Sequence, residues 1–448
     1  MKVLIAISDQ VWGGKQRFMT DVLIGMRNAG YEVHPIVEDE GKLATKLSDH
    51  GFVPLLVPSF ADHSQVVQIV ADQLTADPVH VVCATGRADA AALNVALRDS
   101  SHRPMTMFIR HSAFPLDEVG EARAFVDAAN LLVATSHEQA ANQFDQERAS
   151  SRSVIVVPSF VDKDFVDSVA DADTMSARAS LEIPEDAFVF AVLARLSWEK
   201  GIARAVTAMA EVGHSSDEVM MLIAGDGPQR SELAELAEKM GVHDRVRFLG
   251  HVEDTREVLA AADAVVLPST VPETGPLALK EAMGAGKPVI ASRVGGIPEF
   301  VRHETDGILV SSDDELVSAM NAMWTDTSRA MEMGRNAREN IVRGHLSEHR
   351  MPYLLHCIER QAVSVVESAL LLPEFSWKDV RFRPEASGGL LFVPHTSAVL
   401  ELPEPLYRVL HDSAEERRSE ALSSLPGPAF DKTVGQLLDM GALTRRIP

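Results

Sequence analysis

The chain has 448 residues, 46% of them hydrophobic, and its 65 acidic against 42 basic side chains give a formal charge of -23. That length exceeds one ordinary core and asks for two or three domains. The acidic field argues against nucleic acid and anionic lipid as partners, so any anionic substrate has to be held by a few local cations.

The N-terminus, MKVLIAI, runs directly into Ser8-Asp9-Gln10. It is too short and too lightly charged for a secretory signal, and no apolar run approaches the length of a membrane span, so a cytoplasmic chain is expected. Short apolar runs then alternate with amphipathic ones, the pattern of an α/β domain with a parallel sheet. The predicted strands are Lys2 to Ile7, Glu32 to Val37, Pro54 to Val57, His80 to Cys83, Met105 to Ile109, Leu131 to Ala134 and Val154 to Val157. The first helix is predicted beyond Gly13-Gly14, with Phe18, Val22, Leu23 and Met26 at helical spacing and Gly30 closing it.

A second alternating series follows Asp173, with strands at Phe188 to Leu193, Met220 to Ala224, Val246 to Leu249, Ala264 to Leu267, Pro288 to Ala291 and Gly307 to Val310. Apolar strands of this kind need helices on both faces, and two doubly wound domains facing a cleft are the economical architecture. The tail after Val363 differs: LLFVP and AVLEL suggest a hairpin, followed by helical patterns at Glu404 to His411, Ala414 to Leu425 and Phe430 to Met440. The boundaries read as 1–165, 166–345, a returning helix at 346–368 and a small module at 370–448. Cys83 and Cys357 lack any partner spacing, which leaves neither a disulfide framework nor a zinc site.

The chemistry concentrates in PSTVPETGPLALKEAMGAGKPVIASRVGGIPEFVRHETDG, from Pro268 to Gly307. Glu273 is placed where a loop meets a helix, and Glu281 about two turns along it on roughly the same face, so both acids can address one elongated ligand. Backbone N–H groups near Leu277 are free to meet phosphate oxygens, and Pro276 suits such a helix start. Read alone, the pair is better taken as a capped surface helix with two solvated acids, and it is the surrounding loops that turn the reading toward a ligand. Arg195 and Lys200 follow the strand FVFAVLA, at the edge where open α/β sheets bind ligands, and suit a diphosphate; the alternative is a surface ion pair with Glu199. His111 follows MTMFIR at the corresponding edge of the first domain, as a structural histidine or as a donor to a sugar hydroxyl. Gly225 and Gly227 read as a tight turn, whereas Gly296 reads as a place where backbone approaches a ligand. No Asp-x-Asp stands where a divalent metal would be held, and the Arg/Lys pair makes one unnecessary.

With ARLSWEKG, IAGDGPQRSELAELAEKMGVHDRVRFLGHVED, ADAVVLPS and ETGPLALKEAMGAGKPVIASRVGGIPEFV in this order, the chain resembles the retaining nucleotide-sugar glycosyltransferases of family 4, with the GT-B fold. The resemblance implies a nucleotide sugar as donor substrate, no cofactor, no metal and no protein nucleophile. It further implies Arg195 and Lys200 on the diphosphate, Glu281 on the ribose, Glu273 on the donor sugar, backbone near Leu277 on the phosphates and Val252 beside the base. Gly14 would let the first domain close on the donor, and His111 would stand near the reacting sugar. Two positions depart from the pattern, Ser159-Phe160 and Thr274-Gly275, and are expected to bear on the choice of sugar and acceptor. The tail resembles the PqqD-like peptide-recognition modules, winged-helix-like α+β units, through FRPEASGGLLFVPHTSAVLELPEPLYRVLHD and LLDMGALTRR. That likeness implies a ribosomally synthesised peptide acceptor whose leader residues 370–448 would bind. The alternatives are a small metabolite or glycan acceptor with the tail as a docking or dimerisation domain, and a non-catalytic nucleotide-sugar-binding scaffold.

Overall fold

The structure is a computed structural model describing residues 1–8, 12–76, 79–98, 104–116, 119–144, 153–213 and 218–370, and the strands 375–377, 381–385, 388–393, 398–403 and 443–445. The first sheet holds β1 (Lys2–Ile7), β2 (Glu32–Glu38), β3 (Leu55–Val57), β4 (Val81–Ala84), β5 (Met105–Arg110), β6 (Leu131–Ala134) and β7 (Ser153–Val156), all parallel, in the order β3-β2-β1-β4-β5-β6-β7. The second holds β8 (Phe188–Leu193), β9 (Val219–Ala224), β10 (Val246–Gly250), β11 (Ala264–Leu267), β12 (Val289–Ser292) and β13 (Gly307–Val310), also parallel, in the order β10-β9-β8-β11-β12-β13. These are the predicted strands, each end moved by at most one residue.

Strand alternation splits each domain into two buried faces. Val3, Ile5 and Ile7 pack with Phe18, Val22 and Met26 of the first helix, Gly14–Asn28, while Leu4 and Ala6 pack on the other side with Phe108 and Leu132. In the second domain Val189, Ala191 and Leu193 face one cluster, and Phe188, Phe190 and Val192 the other. Gly30 lies beyond the first helix at φ +84°, the left-handed conformation its predicted closing role requires.

The chain crosses between domains twice. Val161 and Leu346 form a parallel bridge at the crossing, and Val161 already packs in the second core, ahead of the break expected after 165. After it, helix Ser347–Leu370 returns to the first domain, where Met351, Leu354, Ile358 and Ala362 complete one core face. Gly25 gives Met351 room, since a β-carbon there would fall 2.5 Å from its methyl group.

In the tail, β14 (Phe375–Trp377) pairs antiparallel with β18 (Leu443–Arg445), while β15 (Arg381–Glu385), β16 (Gly388–Val393) and β17 (Ala398–Pro403) form an antiparallel meander that contains the expected hairpin. The three predicted tail helices lie outside the described residues.

Candidate active site

In both sheets the strand order reverses direction at one place, between β1 and β4 and between β8 and β11, and the C-terminal edge there is where open α/β sheets hold ligands. The two edges meet. Gly14, at the start of the first helix, lies so that a β-carbon on it would be 3.8 Å from that of Leu277, which opens helix Leu277–Gly284 of the second domain. Among the described residues neither helix start carries a side-chain cap, so the N–H donors and the positive dipole ends of two helices come together.

The second-domain edge is built by close approach of backbone to backbone. Gly225, at φ +154°, would place a β-carbon 1.9 Å from the Ala194 carbonyl oxygen, and Gly201, at φ +64°, 2.0 Å from that of Pro268. Only glycine fits either place. The loop so held carries Arg195, exposed and without an ion pair among the described residues, and Lys200, whose Nζ donates to Glu273 Oε1 at 2.7 Å. Ser269 Oγ donates to the same oxygen at 2.7 Å. Glu199 accepts from Ser197 Oγ at 2.6 Å, and the charges of Lys200 and Arg195 also act on it, without a direct ion pair to Arg195 among the described residues.

Three sequence expectations are corrected here. The helix starts at Leu277, with Pro276 as its extended N-cap, so Glu273 lies in the loop and Glu281 is in the second turn of a short helix. The cause is local: proline disfavours the helical region for Gly275, whose φ is +149°, and Thr274-Gly275 is tied to the other domain. Gly296 serves domain packing, since a β-carbon there would fall 2.5 Å from that of Ser136. Gly225 and Gly227 form more than a tight turn, for both lie against the backbone of the Ala194–Leu196 loop.

The departures at Ser159 and Thr274-Gly275 prove to be neighbours. Ser159 Oγ donates to the Gly275 carbonyl at 2.7 Å, Thr274 Oγ1 to the His111 carbonyl at 3.1 Å, and Lys280 Nζ to the Ser159 carbonyl at 2.6 Å and hydroxyl at 3.0 Å. They form a seam between the domains. Lys280 is fully buried, its Nζ 4.7 Å from the Phe300 ring centre, and burial brings its ammonium down to about 7. Glu299 adds another bridge, its carboxylate accepting from the N–H groups of His137 and Glu138 at 2.8 Å each.

His111 lies on the first-domain side, edge-on to Phe18 with ring centres 4.8 Å apart. Its Nε2 is buried without a hydrogen-bond partner among the described residues, and burial lowers its pKa to about 3, so the imidazole is neutral at ordinary pH. Its loop is held by Arg110, which donates to the Phe114 carbonyl, and by Gln139 and Gln143, which donate to the Ser112 carbonyl at 2.9 and 3.0 Å. Glu281 is buried, which raises its pKa, and Arg17 of the first domain opposes that rise with a guanidinium nitrogen 2.5 Å from Oε1. Val252 is half-buried against the second core. Arg17, Ser269, Ser159 and Lys280 escaped the sequence reading as members of the site. Of these, only Ser159 had signalled itself, as a departure.

Residues 173–340 match the family model Glycosyl transferases group 1. The chain is 34% identical over 167 residues to the lipopolysaccharide core biosynthesis glycosyltransferase LpsD of Rhizobium meliloti, covering 37% of this chain and 47% of that protein. It is 32% identical over 231 residues to a D-inositol 3-phosphate glycosyltransferase of Corynebacterium kroppenstedtii, covering 49% and 51%. The chain thus spans about half the length of the curated relatives it matches. Among solved structures, Anabaena HepE in complex with UDP and glucose superposes with a TM-score of 0.69 at 22% identity, over 80% of this chain and 99% of that one. A glycosyltransferase from Rickettsia africae gives 0.70 at 16% identity, over 80% and 98%. The shared fold is the GT-B arrangement of two Rossmann-type domains. Among the described residues no helix is long and apolar enough to cross a membrane, and no group of three or more His, Cys, Asp or Glu is placed to hold a metal ion.

Proposed function

We propose that this chain is a retaining, metal-independent glycosyltransferase that moves a sugar from a nucleoside diphosphate sugar to an acceptor hydroxyl. The observation that carries the reading is the meeting of two helix starts without a side-chain cap among the described residues, at Gly14 and Leu277, with Lys200 held to Glu273 four residues before Leu277. The diphosphate lies between the helix starts, where N–H donors and the two cations stabilise the charge that grows as it leaves. Lys200 exchanges Glu273 for a phosphate oxygen, which releases Glu273 to accept from the donor sugar. Glu281 accepts from the ribose and Val252 lies beside the base. Nε2 of His111, buried and without a partner among the described residues, takes a sugar hydroxyl. In the transfer the bond from the anomeric carbon to diphosphate oxygen breaks, the acceptor oxygen bonds that carbon on the same face, and its proton passes to the departing diphosphate. UDP, bound by HepE, is the first nucleotide to test.

The test is incubation with UDP-, ADP-, GDP- and dTDP-sugars, followed by mass spectrometry for nucleotide release and transfer. Glu273→Gln or Lys200→Ala lowers the rate by about a thousandfold in this reading. Full activity in both variants would sink it, and release of the nucleotide by the wild type counts against a non-catalytic scaffold.

For the acceptor we propose a peptide whose leader pairs with a tail strand. The meander of β15, β16 and β17 leaves β15 and β17 as outer strands, and such edges accept an added strand. The named relatives support the alternative of a small molecule or glycan. Deleting 373–448 abolishes transfer to a leader-bearing peptide under the first reading and leaves small-acceptor transfer intact under the second.

A further inference from the structure

Arg17 belongs to none of the roles assigned above, yet it makes a charged contact between the domains with a buried acid of the site. It is on the first helix, one turn beyond Gly14, and reaches Glu281 Oε1 at 2.5 Å. Its guanidinium is 5.4 Å from the ring centre of Phe165, whose ring also carries Arg256 at 5.0 Å, so its position is fixed by packing as well as by charge. The charged groups around Glu281 are Arg17 and Asp21 from the first helix, Arg256 at the start of helix Arg256–Ala261 and Asp254 just before it. Asp21 is itself pushed up to about 7 by burial. A carboxylate this deeply buried needs a cation to stay ionised.

We propose that Arg17 is a positioning residue for donor binding: from the first domain it keeps Glu281 of the second an ionised acceptor for the ribose hydroxyls, so the nucleotide is fully gripped only while the domains are closed. The inference rests on the donor reading of Glu281. Without Arg17, Glu281 retains its proton to higher pH, and a protonated carboxyl has one oxygen fewer to accept with. Nucleotide binding then weakens, and weakens more as the pH falls.

The test is calorimetric binding of UDP, with ADP, GDP and dTDP in parallel, to the full chain and to Arg17→Ala, Arg17→Lys and Glu281→Gln, from about pH 5 to about pH 9. The expected result is a roughly tenfold rise in Kd for Arg17→Ala at neutral pH, growing toward acid, with Arg17→Lys restoring most of the affinity. Thermal unfolding of each variant shows that the fold persists, and a purely structural loss would show neither the acid dependence nor the rescue. If Arg17→Ala binds like the wild type at every pH while Glu281→Gln binds weakly, the inference falls and the donor reading stands. If Glu281→Gln also binds like the wild type, or if no nucleoside diphosphate binds the wild type, the donor reading itself fails.

Discussion

The two domains share a sheet plan but build their cleft edges by different means. In the second, Gly201, Gly225 and Gly295 bring one loop's backbone against another's, with missing β-carbons where carbonyl oxygens of Pro268, Ala194 and Glu273 now lie. In the first, side chains shape the edge: Asp89, fully buried, accepts from the Thr85 N–H at 2.8 Å, the Thr85 hydroxyl at 2.9 Å, the Gly86 N–H at 3.0 Å and the Ser8 hydroxyl at 3.0 Å. Gln139 does similar work, accepting from the Thr135 N–H at 2.8 Å. A backbone-packed edge offers a fixed frame. An edge held by side chains can be reshaped by substitution.

Four substitutions test that contrast. Gly225→Ala forces a β-carbon into the Ala194 carbonyl, and a loss of about 3 kcal/mol in urea unfolding is expected. A variant within about 0.5 kcal/mol of the wild type would mean that the second edge gives way easily. Asp89→Ala strands the Thr85 and Gly86 N–H groups, which costs about 2 kcal/mol and falls on the first domain. Hydrogen exchange checks this by showing whether protection is lost around β1 and β4 with the second sheet unchanged. At the seam, Lys280 binds its proton only up to about pH 7 when folded, because burial disfavours the ammonium, and to about pH 10 when unfolded. The unfolded chain therefore holds more protons in that window, and the wild type gains stability relative to Lys280→Met as pH rises from about 7 to about 9, with a flat difference below. A difference independent of pH breaks the assignment. The smallest effect is expected for Gly14→Ala, whose added methyl meets Leu277 at an ordinary 3.8 Å, so unfolding shifts by less than about 0.5 kcal/mol. A large loss of stability there would show that the helix starts meet more tightly than the contrast allows.

What the sequence disclosed divides along the same line. The strands were legible because parallel strands buried on both faces are apolar along their whole length, and the placement of Arg195, Lys200 and Glu273 in loops after strands was legible because those strands were. Glu281's partner was not: Arg17 sits on a helix otherwise read from Phe18, Val22 and Met26, and only the closed domains bring it to its acid. Ser159 and Thr274 stood out as departures, but that both belong to one seam with Lys280 depends on contacts across more than a hundred residues of chain. Gly296 misled for the same reason, because its missing side chain makes room for Ser136 of the other domain.

Helix Ser347–Leu370 has a mechanical consequence. It begins just after the second crossing, and its Met351, Leu354, Ile358 and Ala362 form a wall of the first domain's core. The first domain is thus stitched from both ends of residues 1–370, with the whole second domain inserted as a loop between them. A chain cut before Ser347 exposes that wall and unravels the domain it never seemed to belong to.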